Sequence, residues 1–145
     1  MTVGTAIPPW SLARVSPEPM KLYAALARDP SPIHWDPRAA AARGMGDRVI
    51  NQGPINLGYV VNMLMAWTGP ESIREVTGRF TDNVRAGDAV VAGGVVTAVI
   101  AAGGEQRAVC DCWLDRGDGV RAVVATATVA LPRSARADRG DNATA

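Results

Sequence analysis

The chain has 145 residues, 48% of them hydrophobic and 20% charged, with a formal net charge of +1. A chain of this length buries roughly 68–70% of the surface its unfolded form exposes, so one core can hold it without a metal or disulfide staple. The 15 basic residues are matched by 14 acidic ones without clustering, which argues against a nucleic-acid partner. No stretch approaches the ~18 apolar residues of a membrane span, and the start lacks a secretion-type pattern, so a cytoplasmic protein is expected.

Along the chain, Pro19 to Arg28 places Met20, Tyr23, Ala24 and Ala27 at helical spacing behind Ser16 and predicts a short amphipathic helix. It runs into Asp29-Pro-Ser-Pro-Ile-His-Trp-Asp-Pro37, where three prolines in nine residues forbid regular helix. Pro37 to Arg43 allows two further helical turns, with Asp36 as their cap and Gly44 as their stop. From Ile55 to Trp67 apolar residues recur around nearly every face, the mark of a helix in the middle of a domain. Pro54 suits its first position, and the amide of Gly53 then lies at its positive end.

Four strands are predicted beyond that helix, over 72–83, 89–101, 106–114 and 120–131, with Gly-rich turns between the later ones and Arg85-Ala-Gly-Asp88 after the first. As an antiparallel meander after one buried helix they give the class α+β, a curled sheet around a helix, in a single domain over 1–132. Cys110 and Cys112 fall on one face of a strand. They read as small buried hydrophobes, because a disulfide there is strained and the only histidine, His34, is remote. Residues 133–145 have almost nothing to bury and are expected to form a disordered tail.

The chemistry-bearing residues gather around the proline-locked loop. His34 has Asp29 five residues before it and Asp36 two after, and a rigid loop fixes the geometry of such titratable groups. The Gly53 amide adds a preorganised donor for an oxygen that gains negative charge. An acid/base pair with an oxyanion donor is what reversible hydration of an α,β-unsaturated carbonyl requires.

Asp29-Pro-Ser-Pro-Ile-His34-Trp-Asp36, followed nineteen residues after the histidine by Gly53 and a hydrophobic helix, resembles the hydratase motif of MaoC-like (R)-specific enoyl-CoA hydratases and 3-hydroxyacyl-thioester dehydratases. Arg79-Phe80 and Arg85-Ala-Gly-Asp88 are similar to that family's Arg-Phe strand and Pro-Gly-Asp turn, and the likeness covers about residues 3–132. The resemblance implies a hotdog fold with its site at a dimer interface. It implies a hydro-lyase in which Asp29 and His34 activate water and shuttle a proton at the α-carbon, either one acting as base, while Gly53 N–H polarises the thioester carbonyl. It further implies an acyl group delivered on coenzyme A or on a carrier-protein phosphopantetheine, with no metal or redox cofactor. The partner chain is then a second copy, or a different hotdog subunit in a heteromeric hydratase for long-chain or steroid side-chain acyl groups.

The sequence departs from the family pattern at two places. Ser31 stands where asparagine is usual, and both make local turn hydrogen bonds. Asn51-Gln52-Gly53-Pro54 stands where Ala or Val, then His-Gly-Met, is common, a change that bears on the acyl pocket. Trp35, Asn62 and Ser31 are the expected substrate-side residues, Asn62 being the polar residue of the central helix that would either meet Asp29 or cap another group. Two other readings remain: a hotdog binding module, which has no need of the Asp29, His34 and Gly53 set, and a hotdog thioesterase, which usually places a carboxylate or amide on or near the central helix, here without Asp or Glu from Ile55 to Thr68. The remaining tryptophans read as core or interface residues and Arg79 as a solvated strand-edge residue.

Overall fold

The computed structural model describes residues 1–132, and the predicted tail over 133–145 lies outside them. Five strands make one antiparallel sheet: β1 (Ala6–Leu12), β2 (Ile73–Phe80), β3 (Val90–Ala102), β4 (Glu105–Arg116) and β5 (Arg121–Ala130). Their order across the sheet is β1-β3-β4-β5-β2, so the sheet is open, with β1 and β2 as its edges. Three helices accompany it: α1 (Glu18–Ala27), α2 (Pro37–Ala42) and the long α3 (Gly53–Thr68). The α+β expectation of a curled sheet around a helix holds, since α3 packs against all five strands.

The core forms where the inward positions of the sheet meet one face of α3. Val60, Met63 and Leu64 of α3 are fully enclosed with Cys110, Leu114, Val123 and Val129 from the strands. Each such side chain contributes roughly 1.5–3 kcal/mol relative to leaving it in water. Helix and sheet approach closely at a glycine on β2: a Cβ at Gly78 would stand 2.9 Å from Leu57 Cδ1, which would have to shift. Cys110 and Cys112 are free thiols inside this core, as their spacing implies.

Two features differ from the sequence reading. The first strand, β1, is absent from the predicted set because Pro8-Pro9 interrupts its pattern. Proline is tolerated on an edge strand, where only one side of the ladder is needed. The β1–β3 register slips between Ile7 and Trp10, at the two prolines.

The four later strands are also not a simple meander. β3, β4 and β5 follow one another, but β2 pairs with β5 at the far edge. The segment after β2 therefore crosses the end of the sheet instead of turning back. Arg116 fixes that crossing, donating to Asp82 Oδ1 at 2.7 Å and to the Asn83 carbonyl. The Arg85-to-Asp88 turn then docks on the β1 side, where Gly87 N donates to Val15 O and Val15 N to Asp88 O, both at 2.8 Å.

Candidate active site

Asp29 is presented by the way α1 ends. Arg28 adopts a left-handed conformation (φ 51°), alone among the described non-glycine residues, and the following amide, Asp29 N, closes the helix on Ala24 O at 2.9 Å. Left-handed backbone costs a non-glycine residue about 1–2 kcal/mol, so the exit from α1 is a strained bend that turns the chain sharply into the proline loop. There Asp29 Oδ1 accepts from Ser31 N at 2.9 Å, a local turn that pins the carboxylate and leaves Oδ2 free. Arg43 in turn donates to Ser31 Oγ at 3.3 Å. Asp36 caps α2 by accepting from Arg38 N at 2.9 Å, and an exposed Arg38 side chain holds its carboxyl below the usual range.

His34 closes a short 3₁₀ turn (Pro32–His34) and is buried. Its Nδ1 lies 2.7 Å from the Ile50 carbonyl. A carbonyl only accepts, so Nδ1 carries a proton, and whenever the ring is neutral Nε2 presents a lone pair. That Nε2 lies 3.4 Å from Asp29 Oδ2. The two atoms thus lie next to each other, each group oriented by a hydrogen bond at its other polar atom.

Ile50 links this pair to α3. Its amide bonds the Ile33 carbonyl at 3.0 Å, and it forms an isolated bridge with Arg85. Three residues later Gly53 begins the helix. Gln52 O takes both Ile55 N and Asn56 N at 3.1 Å, and Pro54 has no N–H, so Gly53 N–H is the open donor of that turn among the described residues. A Cβ there would lie 2.7 Å from Phe80 Cε2, so a side chain at 53 would have to push the ring aside.

Beneath this end of α3 is a buried polar layer absent from the expected set. Asn51 Nδ2 donates to Asn56 Oδ1 at 2.7 Å and faces Tyr59 Oη at 3.4 Å, and Tyr59 stacks on Trp10 with ring centroids 5.4 Å apart. Burial raises the Tyr59 hydroxyl above its ordinary pKa, against the Asn51 bond. Gln52 Nε2 donates to Met20 O at 2.9 Å, tying α1 to the helix start. Asn51 Oδ1 and Gln52 Oε1 are buried with no protein partner among the described residues. The signal in the sequence was a pair of amides directly before a buried helix.

Of the expected residues, the structure brings Asp29, His34 and Ser31 into contact and sets Gly53 at the start of the helix that Ile50 leads into. Trp35 shares with Asp29 an open depression of about 490 Å³, whose other walls are Lys21, Ala24 and Ala25. Asn62 is the correction: it is exposed, on a different face of α3 from the buried Asn56, and among the described residues it has no bond to Asp29.

A model of the MaoC like domain matches residues 4–110. The chain belongs to the MaoC-like dehydratase family. The MaoC-like chain has the hotdog fold of that family, and solved structures carry the likeness over nearly its full length. An (R)-hydratase from A. caviae involved in PHA biosynthesis is 26% identical, with a TM-score of 0.78, over 91% of this chain and 98% of the other. The R-hydratase PhaJ1 from Pseudomonas aeruginosa is 21% identical, with a TM-score of 0.78, over 92% and 84% of the two chains. A chain of the ChsH1-ChsH2 complex from Mycobacterium tuberculosis is 24% identical, with a TM-score of 0.75, over 90% and 98%. No curated protein sequence matches the MaoC-like chain. Among its described residues no helix is long and apolar enough to cross a membrane.

Proposed function

We propose that this MaoC-like chain is a hydro-lyase that adds water reversibly across the double bond of a trans-2-enoyl thioester, giving a (3R)-hydroxyacyl thioester. The observation that carries the reading is the convergence of Asp29 Oδ2 and His34 Nε2, 3.4 Å apart, each held by a bond on its far side. Two acceptors facing one point hold a water by its two hydrogens and aim its oxygen lone pair outward. The water oxygen bonds to C3 as one proton passes to the dyad, the C2=C3 pair moves toward the thioester carbonyl, and a proton then reaches C2. The negative charge that develops on the carbonyl oxygen is met by Gly53 N–H at the positive end of α3. The likeness to the 26%-identical (R)-hydratase supports the same reaction.

The acyl group arrives on coenzyme A or phosphopantetheine, with Trp35 and Ser31 on the substrate side and neither a metal nor a redox cofactor in the reaction. Assembly with a second hotdog chain, a copy or a different subunit, uses the β2 edge. β2 contains no proline and its outer side has no strand partner among the described residues, whereas β1 carries Pro8 and Pro9 next to its bulge. The deciding experiment follows loss of the enoyl-thioester absorbance with crotonyl-CoA and with a bulkier enoyl-CoA. Activity in the native protein that vanishes in both Asp29→Asn and His34→Gln is expected. Turnover that survives in both variants would refute the dyad.

A further inference from the structure

We infer that Phe80 is a positioning residue of this site, an apolar wall beside Gly53 that keeps water off its amide. The inference rests on the hydratase reading and names a residue that reading does not use.

Phe80 is the last residue of β2 and remains 49% exposed. A large aromatic ring at a strand end ordinarily either turns into the core or marks a surface used for something else. This ring ends the β2 edge proposed above for assembly, and its exposure is that of the single chain. One side rests on the start of α3, so closely that a Cβ on Gly53 would stand 2.7, 2.8 and 3.0 Å from three of its carbons. The other side opens on a depression of about 420 Å³ formed with Thr81, Asp82, Asn83 and Arg85. The backbone at Gly53 is not left-handed, so any residue fits its conformation. The ring is the nearest group that a side chain there would meet.

Gly53 N–H is the open donor of the first turn, and the ring lies against the same residue. A carbonyl that reaches this amide therefore approaches alongside an apolar surface. Excluding water from a donor strengthens its hydrogen bond to the oxygen that becomes negative, an effect felt at the transition state more than in the ground state. The wall thus acts on turnover more than on binding.

The full-length chain tests this with four variants: Phe80→Ala, Phe80→Leu, Gly53→Ala and Gly53→Ala with Phe80→Ala, each assayed on crotonyl-CoA and by thermal unfolding. Phe80→Ala is expected to lower kcat by about tenfold or more with KM within about threefold, and Phe80→Leu to restore most of the rate. Gly53→Ala is expected to lower both rate and melting temperature, and adding Phe80→Ala to recover melting temperature, a non-additive result. The inference is overturned if Phe80→Ala leaves kcat within about twofold, if leucine does not rescue it, or if the Gly53 and Phe80 effects simply add. A native protein inert on every enoyl thioester overturns the hydratase reading and the wall's role together. An active native protein with indifferent Phe80 variants overturns the wall alone.

Discussion

The two ends of α3 are built on opposite plans. At the C-terminal end, Gly69 N closes on Met65 O at 2.9 Å, Thr68 Oγ1 donates to Leu64 O at 3.0 Å, and Ser72 Oγ to Gly69 O at 2.6 Å. At the N-terminal end the cap residue Gln52 spends its side chain on Met20 and, among the described residues, one amide is left open and two buried acceptors have no partner. A buried unpaired polar atom costs about 1–3 kcal/mol, so the second arrangement forgoes stability that the first retains. The difference separates an end that holds the fold from an end kept available for chemistry.

The comparison can be broken most forcefully at the N-terminal end. Asp29→Asn or His34→Gln should lower hydration by roughly 10²–10⁴ while thermal unfolding barely moves, read by paired activity and melting measurements. Asn56→Ala removes the shorter of the two bonds of Asn51 Nδ2 and leaves that buried amide only Tyr59 Oη at 3.4 Å. It should cost about 1–3 kcal/mol in denaturant unfolding and also lower kcat, since the same layer supports the start of the helix. Ser72→Ala, at the other end, should cost about 1 kcal/mol and leave kcat and KM unchanged. The smallest effect is electrostatic. Just beyond that end, hydrogen bonds from Arg74 and then Arg107 lower the Glu105 carboxyl from 4.5 to about 2. A depressed carboxyl stabilises the fold fully above its unfolded value, and that contribution fades as pH falls from about 4.5 toward 2. The melting temperature of Glu105→Gln should therefore be flatter over this interval than that of the native protein.

What was legible in the sequence follows the range of the interaction concerned. Asp29 and His34 sit on one short loop whose prolines fix its shape, so their pairing is a local property. The Cys110 and Cys112 spacing likewise encodes a shared inward face. Asn62 was misplaced because a helix apolar on nearly all sides carries no phase, and nothing local says that Asn56, not Asn62, turns inward. The contact of Phe80 with Gly53 joins a strand end to a helix start far apart in the chain. Only the completed sheet, with β2 on its far edge, brings them together. β1 was hidden by Pro8-Pro9, whose signal against a strand is sound for interior strands and fails at an edge.

The buried thiols have a chemical consequence for the acyl-thioester chemistry proposed above. Thioesters pass their acyl group readily to a free thiolate, and a surface cysteine with an ordinary pKa near a bound substrate would be steadily acylated by it. Burial, followed by the charge of Asp111, pushes the Cys110 thiol up to about 11. Burial, then Cys110 and Asp111, pushes Cys112 up to about 12. With both cysteines of the chain enclosed and protonated at neutral pH, neither is placed to become the acceptor of the activated acyl group in the proposed reaction.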